Sequence, residues 1–191
     1  MINISMIRVL LLTLVCTCLS ASAVVEQVEE RVTIQLDIPY WESPPFRLWN
    51  ISYPVSDKEL HCLALNVYFE ARGEHPDGQF AVADVVMWRV NHSEYPDTIC
   101  GVVQEGVYPS WNPTVPLKNK CQFSWFCDRK PDVPLDIDAF EAAMYVANTV
   151  LNDPNYIPVV HYALFYHADE VSPDWAEERL AVAVIGNHLF Y

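Results

Sequence analysis

Glu70 lies in the stretch Leu63-Ala-Leu-Asn-Val-Tyr-Phe-Glu-Ala-Arg-Gly-Glu74, and its position there suits proton transfer. Apolar residues at Leu60, Leu63, Ala64, Val67, Tyr68 and Ala71 recur at helical spacing, the stripe of an amphipathic helix. At about 100° per residue, Glu70 falls beside Leu63, at the rim of that stripe. It also occupies the last turn, where the helix dipole opposes negative charge. Partial burial and a helix C-terminus both favour the neutral acid. A carboxyl that keeps its proton near neutral pH can give it to a leaving group. The same spacing also fits a plainer role, a surface glutamate paired with Arg72 or Arg89, because structural ion pairs perturb carboxylates too.

A second group of chemistry-bearing residues falls near the C-terminus: His161, Tyr162, Tyr166, His167, Asp174 and His188. On a strand, His161 and His167 share a face. They could hold a metal with Asp174, form a substrate-binding face beside Glu70, or be ordinary sheet residues with polar tips in water. No GxSxG elbow and no phosphate loop occur, which removes the commonest serine hydrolase and nucleotide signatures. Glycoside cleavage usually uses two carboxylates. Glu74, Asp77 and Asp84 are nearest to Glu70 in sequence, and none is well placed as a nucleophile. A single acid suffices when the sugar's own 6-hydroxyl, instead of water, attacks.

The elements that must position these groups follow in order. Arg8, the apolar run Val9–Leu19 and Ala21-Ser-Ala23 read as a secretory signal peptide over residues 1–23. The run is short for a membrane span, although an uncleaved, releasable anchor fits the same pattern. Residues 24–55 begin with a charged segment suited to a short helix, then an alternating run, Val32–Ile38, suited to a strand. Pro39, Pro44, Pro45 and Pro54 then alternate with Tyr40, Trp41, Phe46, Trp49 and Tyr53, an extended arm lying on the following domain or a glycan-contacting strip.

Residues 56–191 form the domain proper. Ser56 and Glu59 make a capping box for the first helix, and Gly73 stops it. Asp77 is the expected N-cap of a second, largely apolar helix through Val90, with Arg89 as its interior cation, available to Glu70 or Glu74. Asp97 is expected to cap a short third helix over Thr98–Gln104. The proline- and aromatic-rich stretch 105–135 reads as an ordered loop forming one wall of a cleft. Asp136 or Asp138 opens a further helix that Pro154 ends. Val159–His167 and Leu180–Ile185 read as strands, Gly186-Asn187 as a turn, and His188–Tyr191 as a last strand.

The chain carries a formal charge of −14. Loss of residues 1–23 removes Arg8 alone among the charges, giving −15. That makes the chain a poor candidate for binding nucleic acid or anionic membrane surfaces. Four cysteines follow the leader: Cys62, Cys100, Cys121 and Cys127. In an exported chain an even number suggests disulfides. Cys121 with Cys127 would frame one loop, and Cys62 with Cys100 would tie the first helix to the third. Buried free thiols are the alternative. No CxxC pair or matching histidine spacing suggests zinc.

Several blocks in order resemble the SleB-like cell wall hydrolases, whose type members are spore cortex-lytic enzymes. They are Tyr68-Phe-Glu-Ala-Arg-Gly-Glu74 with Gly78–Val90, Thr98-Ile-Cys-Gly-Val-Val103, Cys121-Gln-Phe-Ser-Trp125, Val171-Ser-Pro-Asp-Trp-Ala176 and Ile185–Tyr191. The resemblance implies an α+β fold, a mainly helical N-terminal part packed on a small antiparallel β-sheet with a lysozyme- or lytic-transglycosylase-like cleft. It implies peptidoglycan as substrate and Glu70 as catalytic acid. Tyr68, Glu74, Gln122, Phe123, Ser124, Tyr162, His167, Asp174 and Trp175 are the expected substrate-binding residues. A monomer outside the cytoplasm, secreted or in the cell envelope, with no metal or other cofactor and no retained membrane span, is expected. A metal-dependent amidase or peptidase that cuts peptide stems, and a wall-binding module without activity, are the alternatives.

Overall fold

The computed structural model describes Trp49 and residues 54–191. The expected leader over residues 1–23, the expected helix and strand of residues 24–38, and the expected arm apart from Trp49 and residues 54–55 lie outside the described residues.

Among the described residues, four α-helices precede a three-stranded sheet. They are α1 (Asp57–Ala71), α2 (Pro76–Val90), α3 (Ile99–Val103) and α4 (Ile137–Asn152). The strands are β1 (Tyr166–Ala168), β2 (Ala183–Ile185) and β3 (His188–Phe190), in the order β1-β3-β2 and antiparallel throughout. This is the expected α+β architecture. None of the described helices is long and apolar enough to cross a membrane.

The Ser56 hydroxyl accepts the Glu59 amide at 3.3 Å, which satisfies a donor that the helix itself cannot. The stripe read from the sequence becomes the buried face of α1: Cys62, Leu63, Ala64, Val67, Tyr68 and Ala71. Against it pack α2, α3 and α4. Helix α2 is central, with Ala81 through Met87 all buried. Its N-cap is His75 instead of Asp77. Pro76 lacks an amide and occupies the first turn, where proline is favoured, so the cap falls one residue before it. Thr98, instead of Asp97, caps α3, accepting the Gly101 amide at 3.1 Å. Asp136 caps α4 through the Ala139 amide. Both disulfides are formed: Cys62–Cys100 joins α1 to α3, and Cys121–Cys127 closes a loop. Trp49 is a core residue, with its indole N–H donating to Val150 O at 3.2 Å and its ring edge-on to Trp88 at 5.0 Å. It is therefore not available as a surface glycan contact.

The long expected strand over Val159–His167 is confined to Tyr166–Ala168. Before Tyr166, four of its backbone groups are engaged by side chains of α2, and pairing with the other end of the chain is limited to Leu164 and Phe165 with the Tyr191 backbone. Val159 and Val160 amides donate to the Asp84 carboxyl at 2.7 and 3.2 Å. Val160 O accepts the Trp88 indole and Leu164 O accepts Arg89 Nε, both at 2.8 Å. Tyr162, at φ +59°, breaks the extended path. Leu180–Val182 likewise precede β2, which begins at Ala183. Gly186 turns β2 into β3 at φ +57°, a conformation that costs a residue with a Cβ. A Cβ there would also run into Glu74 Oε2. A small second core of Ala81, Val85, Val160, Ala163 and Phe190 fastens the sheet to α2.

Candidate active site

Glu70 lies on the last turn of α1, half-buried, where α1 meets β1. The Tyr166 hydroxyl donates to Glu70 Oε2 at 3.0 Å. Oε1 takes no hydrogen bond from the described residues. Burial pushes the Glu70 carboxyl above its ordinary range, and the Tyr166 hydrogen bond and the charge of Arg89 partly oppose this. Tyr166 is itself held well above the usual phenol range by burial and by the Glu70 charge. It stays a phenol and a hydrogen-bond donor. The result is a carboxyl with one oxygen oriented by Tyr166 and its neutral form favoured by burial.

Arg89 is fixed nearby. It is 5% exposed, its Nε bonds Leu164 O, and its guanidinium lies over Tyr95, Phe123 and Phe165 at 5.4, 5.3 and 5.9 Å. The ion pairs among the described residues are His75–Asp77 and Lys130–Asp128. Neither the Glu70–Arg89 nor the Glu70–Arg72 pair of the plainer reading is among them. Arg72 instead lies over the Tyr68 ring at 5.0 Å.

The three carboxylates nearest in sequence are otherwise engaged or distant in role. Glu74 accepts the Asn187 amide and side chain at 3.1 Å each, clasping the β2–β3 turn. Asp84 is fully buried under three donors. Asp77 stands exposed in the first turn of α2.

Of the expected substrate contacts, Tyr68 is buried, and its hydroxyl accepts the Leu135 and Asp136 amides at the start of α4. Phe123 is buried beneath Arg89, while Gln122 and Ser124 on either side of it are exposed. His167, Trp175 and Tyr191 form an aromatic group with centroids 5.4–5.6 Å apart. His167 Nδ1 lies 2.8 Å from Ala168 O, and Nε2 lies 3.0 Å from the Tyr191 hydroxyl. Asp174 is exposed beside Trp175 on a short 3-10 turn. Tyr162 is exposed and packs on Trp88 at 4.6 Å. His161 shares that contact with Trp88. Among the described residues, no three His, Cys, Asp or Glu side chains gather as a metal site.

Tyr166 is the residue that sequence reasoning noticed but did not place. Its strand alternation was the available signal. Tyr166 and His167 point to opposite faces, and it is Tyr166 that faces α1.

A family model described as Cell Wall Hydrolase matches residues 73–191. The chain is 28% identical over 141 residues to a spore cortex-lytic enzyme of Oceanobacillus iheyensis, covering 74% of this chain and 44% of that one. It is 29% identical over 141 residues to that of Halalkalibacterium halodurans, covering 74% and 37%. The chain thus spans less than half the length of these relatives. A stretch of 141 in a chain of 191 cannot begin after residue 51 or end before residue 141, so Glu70 and Arg89 fall inside both alignments. The crystal structure of the catalytic domain of the Bacillus cereus SleB protein superposes with a TM-score of 0.51 at 26% identity, covering 74% of this chain and 94% of that one. The catalytic domain of the germination-specific lytic transglycosylase SleB from Bacillus anthracis gives 0.51 at 25% identity, covering 73% and 98%.

Proposed function

Because this chain belongs to the SleB-like Cell Wall Hydrolase family, we propose that it is a peptidoglycan-cleaving enzyme of the lytic transglycosylase type. The observation that carries this reading is the Glu70 carboxyl, its neutral form favoured by burial, with Tyr166 on one oxygen and no donor on the other among the described residues. Glu70 gives its proton to the glycosidic oxygen between two amino sugars as the C–O bond breaks. The carboxylate so formed then takes the proton of the 6-hydroxyl as that oxygen closes on the anomeric carbon. Proton and bond counts balance without water or a second carboxylate. Tyr166 holds the carboxyl's orientation through both steps. The engaged states of Glu74 and Asp84 support a single-acid route.

Gln122, Ser124, His167, Asp174 and Trp175 are proposed to contact glycan directly, with Tyr162 farther out. Tyr68, Glu74 and Phe123 support the site from beneath. Residues 1–23 are proposed as a leader cut after Ala23, residues 24–55 as an arm preceding the catalytic domain, and the mature protein as an exported monomer that avoids nucleic acid. Mass spectrometry of the secreted chain tests the leader, which retention of Met1 would refute.

The deciding experiment is a digest of purified peptidoglycan by wild type and Glu70→Gln, with and without a chelator. Muropeptides ~18 Da lighter than hydrolytic products are expected, one water short, as the internal acid–base route requires. Reducing-end sugars would replace this route with water attack. Chelator-sensitive release of amines would indicate an amidase, and binding without soluble products a wall-binding module.

A further inference from the structure

Glu105 sits in the loop that follows α3 and is held there by its backbone. Its amide bonds Val102 O and its carbonyl accepts the Gln122 amide at 2.9 Å. The next residue, Gly106, bridges to Cys121, whose disulfide to Cys127 closes that loop. Glu105 Oε2 is buried, yet has no hydrogen-bond partner among the described residues. Arg89 Nη1 is in the same condition. A buried polar atom normally finds a partner, so two such atoms of opposite charge in one region call for a reason.

Arg89 cannot swing to meet either carboxylate. Its Nε is tied to Leu164 O, and Tyr95, Phe123 and Phe165 surround its plane. Glu70 from α1, Glu105 from the loop after α3, Tyr166 from β1 and Tyr95 from the loop after α2 all act on its charge. It forms no ion pair with either glutamate. Tyr166 and Arg89 are the groups that act on Glu70 itself against its burial. An unopposed cation beside Glu70 would favour the carboxylate, which has no proton to give.

We propose that Glu105 is a positioning residue for the Glu70 acid: its carboxylate offsets the charge of the immobile Arg89, so that Glu70 keeps its proton. This rests on the reading of Glu70 as the acid. Glu105 does its work through Arg89 and touches no reacting atom.

The test uses the purified protein with Glu105→Gln and Glu105→Asp, read in two ways. One is NMR titration of the Glu70 side-chain carboxyl, assigned by its loss in Glu70→Gln. The other is the pH profile of the initial rate of peptidoglycan digestion. Glu105→Gln is expected to lower the Glu70 midpoint by about one pH unit, the scale of a charge interaction across several ångströms of protein. The alkaline limb of the rate profile should move down with it. Glu105→Asp, which keeps the charge, should stay close to wild type in both. An unmoved midpoint in Glu105→Gln overturns the proposal, as does an equal shift in both variants. Loss of rate at every pH with an unmoved midpoint would make Glu105 a direct participant and overturn it too. A shifted midpoint together with a fully active Glu70→Gln would leave this inference standing and remove the acid assignment. If Glu105→Gln does not fold, Glu105→Ala and Glu105→Met are read in the same two ways, with the same outcomes expected and excluded.

Discussion

Two carboxyl groups on adjacent helices meet the same apolar interior and end differently. Asp84, midway along α2, is fully buried. It accepts the Tyr156 hydroxyl at 2.8 Å and the Val159 and Val160 amides at 2.7 and 3.2 Å. Burial nevertheless pushes it up to about 7. Glu70, at the end of α1, is also pushed up by burial, but Tyr166 is its one donor among the described residues. Desolvation alone therefore does not mark a catalytic group. The contrast lies in donors: Asp84 has a partner on each oxygen and fastens the 159–160 backbone to α2, whereas Glu70 keeps an oxygen in reserve. Depth reinforces this, because substrate cannot reach a carboxyl with no exposed surface.

The largest expected effect separates the two. Glu70→Gln should cut the rate of peptidoglycan digestion by about 10²–10⁴-fold, the range for loss of general-acid help. Its melting temperature should hold or rise slightly, since a carboxyl disfavoured by burial is replaced with a neutral amide. A large loss of stability would place Glu70 with Asp84 as a structural group.

Asp84→Ala should do the reverse. It strips the acceptor from two amides and a phenol in the interior, and each buried group left unpaired costs about 1–3 kcal/mol. Stability measured in denaturant should fall by about 3 kcal/mol or more, while the rate per folded molecule changes little. A specific loss of rate in a stable Asp84→Ala protein would break the comparison.

Asp84→Asn sharpens it through pH. The amide oxygen can still accept Val159 and Val160, and its N–H can donate to Tyr156, so the packing survives while the titration is removed. In the folded protein Asp84 keeps its proton up to about 7, against an ordinary value of 3.8. Between those values the native state binds more protons than the unfolded chain, so wild-type stability must decline as pH rises from about 4 to 7 and then level. Glu70 contributes with the same sign. Asp84→Asn should flatten most of that decline in denaturant titrations at a series of pH values. An unchanged slope would show that the three donors already keep Asp84 ionised.

How much of this was readable beforehand depended on where backbone groups found their partners. The stripe of α1, the Ser56 cap, the burial of α2 and the Gly186-Asn187 turn all follow from local spacing and were legible. So were the two cysteine pairings, given that Cys121 and Cys127 flank a short loop. Val159–Phe165 misled because its aromatic and β-branched composition suits a strand, yet Asp84, Trp88 and Arg89 claim its backbone. No one-dimensional pattern reveals side chains that act 72 to 76 residues away. The site divided in the same way. The place of Glu70 on the last turn of α1, at the edge of the buried stripe, was legible from helical spacing. Tyr166 was not, because a strand supposed to begin at Val159 gives Tyr162 the same facing as Tyr166, and the turn at Tyr162 destroys that equivalence. Tyr68 looked like a contact because of its motif, whereas its hydroxyl serves the start of α4.

The smallest effect is the most discriminating, and it concerns the one donor on Glu70. Tyr166→Phe keeps the ring that packs on Phe190 and His188, at 5.6 and 5.3 Å between centroids, so the fold should be retained. The lost hydrogen bond has two consequences of opposite sign at neutral pH. Without a donor on Oε2 the carboxyl is less well oriented, and the rate on the acid side of the profile should fall by about three- to tenfold, the worth of one hydrogen bond. The same donor had favoured the charged form, so its removal raises the Glu70 carboxyl further and moves the alkaline limb to higher pH. Near neutrality more molecules then carry the proton, and the deficit there should be smaller than on the acid side. Glu105→Gln is expected to move that limb down, so the two variants bracket the wild type from opposite directions. A Tyr166→Phe profile lowered uniformly, with its limb unmoved, would mean that Tyr166 serves glycan binding instead of the Glu70 carboxyl.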